Sequence, residues 1–162
     1  MTLQKPLKSV NAIVGEKSRT IYALWKKLAG NRMAPKRKEI TLALVGNLSS
    51  WMWTADVVDN GADFRFRLVG DRLAQFFERR VIGLLLSEFP NNPFFERTRQ
   101  AITYCVKHKQ PIAAGSARSS YENKDHWETE AIVLPLSEDG ENVTSLMGVF
   151  DFWPACPEIE AR

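Results

Sequence analysis

Two cysteines and two histidines are the whole supply of thiolate and imidazole metal ligands in these 162 residues. Cys105 and Cys156 stand 51 positions apart, with no CxxC pair and no His/Cys cluster. A structural zinc site needs four closely spaced ligands, so that class is excluded. Nothing points to an oxidising compartment, and a disulfide has no support beyond the presence of two thiols. Long apolar runs are also missing. Val10 to Val14 is interrupted by Asn11 and closed by Gly15, short of the roughly 7–15 residues of a signal-peptide core. No stretch approaches the roughly 20 apolar residues of a membrane span. The chain contains no G-x-S-x-G, no P-loop and no G-x-G-x-x-G, which removes the common nucleophile-elbow and nucleotide-cradling signatures. Internal repeats and low-complexity tracts are absent as well. These absences lead to the expectation of a cytoplasmic protein that is not an enzyme.

What is present suits one globular domain. The chain is 44% hydrophobic, 10% aromatic and 25% charged, enough for a true core, since a domain of this size buries about two-thirds of its unfolded surface. The net charge of +3 is unevenly spread. Residues 1–40 carry ten Lys/Arg against two acids, and residues 41–162 carry twelve against seventeen. A basic leading segment favours nucleic acid, an acidic partner or a membrane surface, although charge runs are more often simply solvated. The expected organisation is a flexible basic arm over 1–17, a single domain over 18–154 and a tail over 155–162.

The periodicities predict the elements in order. Ser18 is placed to cap a helix running to about Ala29, with Gly30 to end it. Ile21, Tyr22, Leu24, Trp25 and Leu28 supply its packed face. A short helix is expected over Thr41 to Asn47, and a strand over Trp51 to Val58. Asp59-Asn60-Gly61 then turns the chain into Phe64 to Val69 as a hairpin. In that second strand Phe64, Phe66 and Leu68 alternate with Arg65 and Arg67, so one face is apolar and the other cationic. Asp71 offers an N-cap to a helix over Arg72 to Arg79. Another short helical piece follows Gly83, and a long helix starts at Asn91 or Asn92 and ends near Lys109. Three strands close the chain: Ile112 to Tyr121, Trp127 to Leu136 and Val143 to Trp153. The last is apolar on both faces and belongs in the middle of the sheet, whereas the small and polar first of the three suits an edge. The fold class expected is α+β: a five-stranded antiparallel sheet with helices on one face and an added N-terminal helix.

Leu24-Trp25, Pro35 with Ile40, Asp56-Val57 leading to Phe64-Arg65-Phe66-Arg67-Leu68-Val69-Gly70, Gly83-Leu84 and Gln110-Pro111 occur in this order over residues 20–115. In these segments the chain resembles a PAS domain, and more closely the compact PAS-type family of alphaproteobacterial proteins. The resemblance implies a bacterial sensory or signalling module. Its middle helices and inner sheet face would enclose a small-molecule cavity, and its N-terminal helix would make homodimer or partner contacts. No output domain is attached in this sequence, so a signal would leave by contact with a signalling protein.

On that basis the expected ligand pocket comprises Phe66, Leu68, Phe76, Phe77 and Phe150, with Trp127. Tyr22 and Trp25 are expected at a dimer surface, Trp25 also packing on its own domain. Arg65 and Arg67 either pair across strands with Asp56 or another acid, or contact an anionic ligand or partner. His108, at the end of the long helix where haem-binding PAS domains place an iron ligand, more often complements the helix dipole in solvent. Cys105 lies inside the helix and not in the Asn-Cys-Arg motif of flavin photosensors, so it reads as buried filler. His126, Glu128 and Glu130 share one strand face, which suits a solvated surface better than a metal or acid–base site. The sequence names no cofactor. Two rivals remain: a nucleic-acid-associated protein using the basic arm with Lys36-Arg37-Lys38, and a small α+β ligand-binding enzyme.

Overall fold

The computed structural model describes residues 7–89, 93–118 and 126–154. The expected starts at Asn91 or Asn92, the end of a strand at Tyr121, and the tail with Cys156 lie outside them. Strand β1 (Leu7–Lys8) is followed by helices α1 (Glu16–Ala29) and α2 (Leu42–Val45) and by the hairpin β2 (Met52–Val58) and β3 (Asp63–Val69). Helices α3 (Asp71–Phe77) and α4 (Pro93–His108) precede β4 (Ile112–Arg118), β5 (Trp127–Leu136) and β6 (Ser145–Pro154). All pairings are antiparallel, in the order β1-β4-β5-β6-β2-β3.

The fold is α+β, and β6 sits between β5 and β2, its first seven residues all buried. The sheet has six strands instead of five. The sixth comes from the arm expected to be flexible: Leu7 and Lys8 pair with Ala114 and Ala113 and cover the edge that β4 would otherwise expose. At the opposite edge, residues 83–85 lie along β3, with the Phe66 N–H donating to Leu84 and the Gly83 N–H to Phe66. Two apolar layers result. One packs α3 and α4 on the inner sheet face through Phe64, Phe66, Leu73, Ile102 and Phe150. The other packs α1 on the outer face through Ile21, Trp25, Ile132, Leu134 and Met147.

Several boundaries moved for identifiable reasons. Helix α1 starts two residues before Ser18, with Gly15 at the N-cap position. Helix α3 is capped by Gly70 and not by Asp71, and it ends at Phe77 because Glu78 takes a left-handed conformation (φ 53°). In the hairpin, Thr54 pairs with Leu68 but Ala55 pairs with Phe66. Arg67 is therefore an extra residue, a β-bulge, and it inverts the facing of everything after it.

On the inner face, a close approach to Trp53 requires glycine at 148. A Cβ at Gly148 would lie 2.4 Å from ring carbons of Trp53, whose indole spans β6. Gly148→Ala is expected to destabilise the protein by about 1–3 kcal/mol through overpacking, read as a lower urea midpoint with an unchanged m-value.

Candidate functional site

The inner face is where a pocket was expected. All nine phenylalanines of the chain belong to that one layer. Their rings contact one another closely: Phe76–Phe152 at 4.2 Å, Phe89–Phe95 at 4.7 Å, Phe94–Phe150 at 5.5 Å and Phe66–Phe89 at 5.6 Å between centroids. Two residual cavities, of about 20 and 10 Å³, remain among the described residues of this layer. Each has room for roughly one water. Trp53 borders both cavities, and its Nε1 is buried without a partner. Arg97 also borders the larger cavity. It is 8% exposed, and burial pulls its pKa below the usual arginine value.

Phe66, Phe76, Phe77 and Phe150 do come together here, as packing partners of one another. Leu68 does not. It lies after the bulge, pairs with Thr54, and is 40% exposed on the outer side. Trp127 is half-buried at the start of β5, opposite Pro154, with its ring against His126. It borders neither cavity, because it lies two residues, about 7 Å, beyond Thr129 along the strand.

On the outer face the polar alternation of β5 turns out to be structural. Glu130 is fully buried and pairs across strands with Asp151, also buried. Glu130 accepts hydrogen bonds from Lys8 Nζ (2.6 Å) and from the N–H groups of Val14 and Gly15 (2.9 Å each). Asp151 Oδ2 accepts from the N–H groups of Lys17 (2.9 Å) and Ser18 (3.3 Å), and its other oxygen lies 3.4 Å from Lys17 Nζ. The two carboxylates thus supply the cap that Ser18 was expected to provide, at the helix end where negative charge is favoured. A Cβ at Gly15 would sit 2.1 Å from Asp151 Oδ2, so only glycine admits the contact. The expectation of a solvated Glu130 is corrected: donors carried by the arm make its burial tolerable. Glu128 accepts from Trp153 Nε1 (2.6 Å), and His126 is exposed.

Trp25 is 7% exposed and donates from Nε1 to the Pro135 carbonyl at 2.8 Å. The indole packs on its own sheet, as was also expected of it. Tyr22 is half-buried and stacked on it, with Lys26 Nζ 5.4 Å from the phenol ring. Arg65 donates to the Gly83 carbonyl (2.8 Å). Arg67 pairs with Asp56, which also receives Arg37 at 3.2 Å. His108 is exposed and lies against Tyr104, and Cys105 is fully buried with its thiol pKa pushed up by desolvation.

Two of the open depressions among the described residues bear on function. One, of about 740 Å³, is lined in part by Asn60, Thr103, Lys107, Lys109 and Asn142. It lies at the carbonyl end of α4, whose partial negative charge opposes an anion. The other, of about 460 Å³ on the outer face, is lined by Arg37, Lys38, Ile40, Thr54, Leu68, Leu136 and Glu138. Its connector wall is braced by Glu39, which accepts from both terminal nitrogens of Arg32 (2.8 and 3.0 Å) and from the Lys36 N–H (2.6 Å). The Arg32 hydrogen bonds, followed by that of Lys36, lower the Glu39 pKa to about 2. Among the described residues, no three His, Cys, Asp or Glu side chains converge to hold a metal ion, and no helix is long and apolar enough to cross a membrane.

A family model described as a PAS domain matches residues 14–151. Among solved structures, the chain is similar to one described as an RNA-binding light-oxygen-voltage receptor, at 14% identity and a TM-score of 0.43, over 68% of this chain and 32% of that one. It thus spans about a third of that receptor's length. No curated protein matches it significantly.

Two outcomes follow from these contacts. Glu130→Ala orphans the buried N–H of Gly15 and the part-buried N–H of Val14, and releases the arm. It is expected to cost about 3–5 kcal/mol in urea unfolding, and to speed tryptic cleavage after Lys8 under native conditions. The Glu39 carboxylate stays ionised well below its ordinary 4.5, so its bracing of the connector is complete above that value and is lost as pH falls through about 2. Carbon-13 titration of the carboxyl checks this, and a midpoint near 4.5 would contradict the bidentate pairing.

Proposed function

The chain belongs to the PAS domain family, and from that premise we propose that it is a sensory and signalling module that works by binding another protein through its surface. PAS domains are generally sensory and not enzymatic. The observation that carries the reading is the filled inner face. Nine phenylalanines leave cavities of about 20 and 10 Å³, against roughly 300–1,000 Å³ for small-molecule pockets. An incoming small molecule would have to displace several packed rings, and each buried phenyl group represents about 1.5–3 kcal/mol of apolar burial. A bound cofactor in this space is disfavoured on the same ground.

The buried carboxylates do not suggest catalysis either. Glu130 and Asp151 are occupied by backbone N–H groups and lysines, so neither has the partly free geometry that a general base needs. The partner is read as a different protein and not as a second copy. With Trp25 turned inward, the outward side of α1 presents Arg19, Lys26 and Lys27, which a two-fold contact would set near one another. In this reading the protein acts in the bacterial cytoplasm. Partner binding shifts the population between packings of the helices on the sheet, and α1, tied to both central strands, carries the change.

Native mass spectrometry of freshly purified protein tests the proposal. The expected species is the bare 18.4 kDa chain. A small molecule retained at one per chain would return the protein to the ligand-sensing class.

A further inference from the structure

We propose that the outer sheet face over β2 and β3 docks an acidic protein segment with apolar anchor residues; this rests on the interaction-module reading above and names its partner. The opening has a geometric cause. Helix α1 lies against β5 and β6, and a helix about 10 Å wide covers about two strands spaced about 4.8 Å apart. The outer face of β2 and β3 is therefore left to the connector, which only partly covers it. The groove of about 460 Å³ is what remains.

The surroundings specify the occupant. Five large apolar side chains are exposed among the described residues; one of them, Leu68, lines the groove, and two, Leu42 and Leu44, belong to the short helix that follows the connector. Leu68, turned outward by the Arg67 bulge, lines the groove with Ile40. Leu42 and Leu44, 71% and 51% exposed, follow Ile40 by two and four residues. A groove lined by Leu68, Ile40 and Leu136 calls for apolar anchors, which a phosphodiester backbone does not offer. The rim is cationic. Arg37 and Lys38 line it, and Arg67 stands beside it on the bulge. Arg37 and Arg67 share the single carboxylate of Asp56. Glu138 is the opposing acid, and it already accepts the Arg37 N–H. Further cations, Arg19, Lys26 and Lys27, are exposed on α1. An acidic segment complements this rim, whereas a second copy of the same face would set like charges together.

Site-specific photo-crosslinking in the native host tests the assignment, with p-benzoylphenylalanine placed singly at Leu42, Leu68, Ala23 or Lys107. Leu68 lines the groove, Leu42 is exposed two residues after its Ile40, Ala23 is on the exposed side of α1, and Lys107 is near the end of α4. The expected result is one protein crosslinked from positions 42 and 68, through a peptide that mass spectrometry shows to be net acidic and leucine-, isoleucine- or phenylalanine-bearing. Yield at both positions should fall at least about threefold in a Lys38→Glu background. That substitution leaves the Arg37–Asp56–Arg67 cluster in place, and an unchanged thermal melt shows that the fold survives. Protein adducts from positions 23 or 107 alone would overturn the docking surface while sparing the interaction-module reading. So would adducts at 42 and 68 to nucleic acid, to a second copy, or to a segment indifferent to Lys38→Glu. Absence of any protein adduct at all four positions would overturn both.

Discussion

Two carboxylates buried side by side on a sheet would repel each other and pay heavily for lost hydration unless donors surround them. Glu130 and Asp151 meet that demand with the beginning of the chain: Lys8, the N–H groups of Val14, Gly15, Lys17 and Ser18, and the Lys17 ammonium. Much of the outer half of the molecule depends on this arrangement. It sets where α1 starts and obliges residue 15 to be glycine. It also holds Leu7–Lys8 against the β4 edge. Once α1 is so placed, Trp25 reaches the Pro135 carbonyl and the outer apolar layer closes beneath the helix.

The two sides of the sheet are built on different principles. The inner layer is aromatic and closed, with its phenyl rings stacked or edge-on. The outer layer combines aliphatic packing with buried charge, and it leaves the β2–β3 end only partly covered. Strand β3 serves both: Phe66 lies in the aromatic layer and Leu68 faces the groove, with a single bulged residue between them.

Most of the element order was legible because it rests on local periodicity. The alternation in β3, the turn at Asp59-Asn60-Gly61 and the two-faced apolar run of β6 each identify themselves within about ten residues. Strand β5 has the expected bounds, Trp127 to Leu136. What escaped was set by distant partners. Nothing near Ser18 reveals that Asp151 caps α1, and a two-residue strand such as Leu7–Lys8 has no pattern to read. Glu130 looks solvated because its neighbours alternate as a surface strand does; a weak clue was Asp151, one acid between Phe150 and Phe152 in an otherwise apolar strand. Leu68 was misplaced because simple alternation does not anticipate a bulge. Phe66, Phe76, Phe77 and Phe150, expected to line a pocket, share one apolar layer, but whether such residues line a space or fill it depends on summed side-chain volume, which periodicity does not carry.

The cap on α1 also bears on time. The helix leaves the ribosome before its partners, since the carboxylates that satisfy its first N–H groups lie 115 to 134 residues downstream. Until β5 and β6 have been made and paired, its leading turn has only water to bond, and an isolated helix of 14 residues is marginal on its own. The segment synthesised before most of the sheet is among the last to acquire its final contacts, and sheet completion and helix completion become one late, cooperative event.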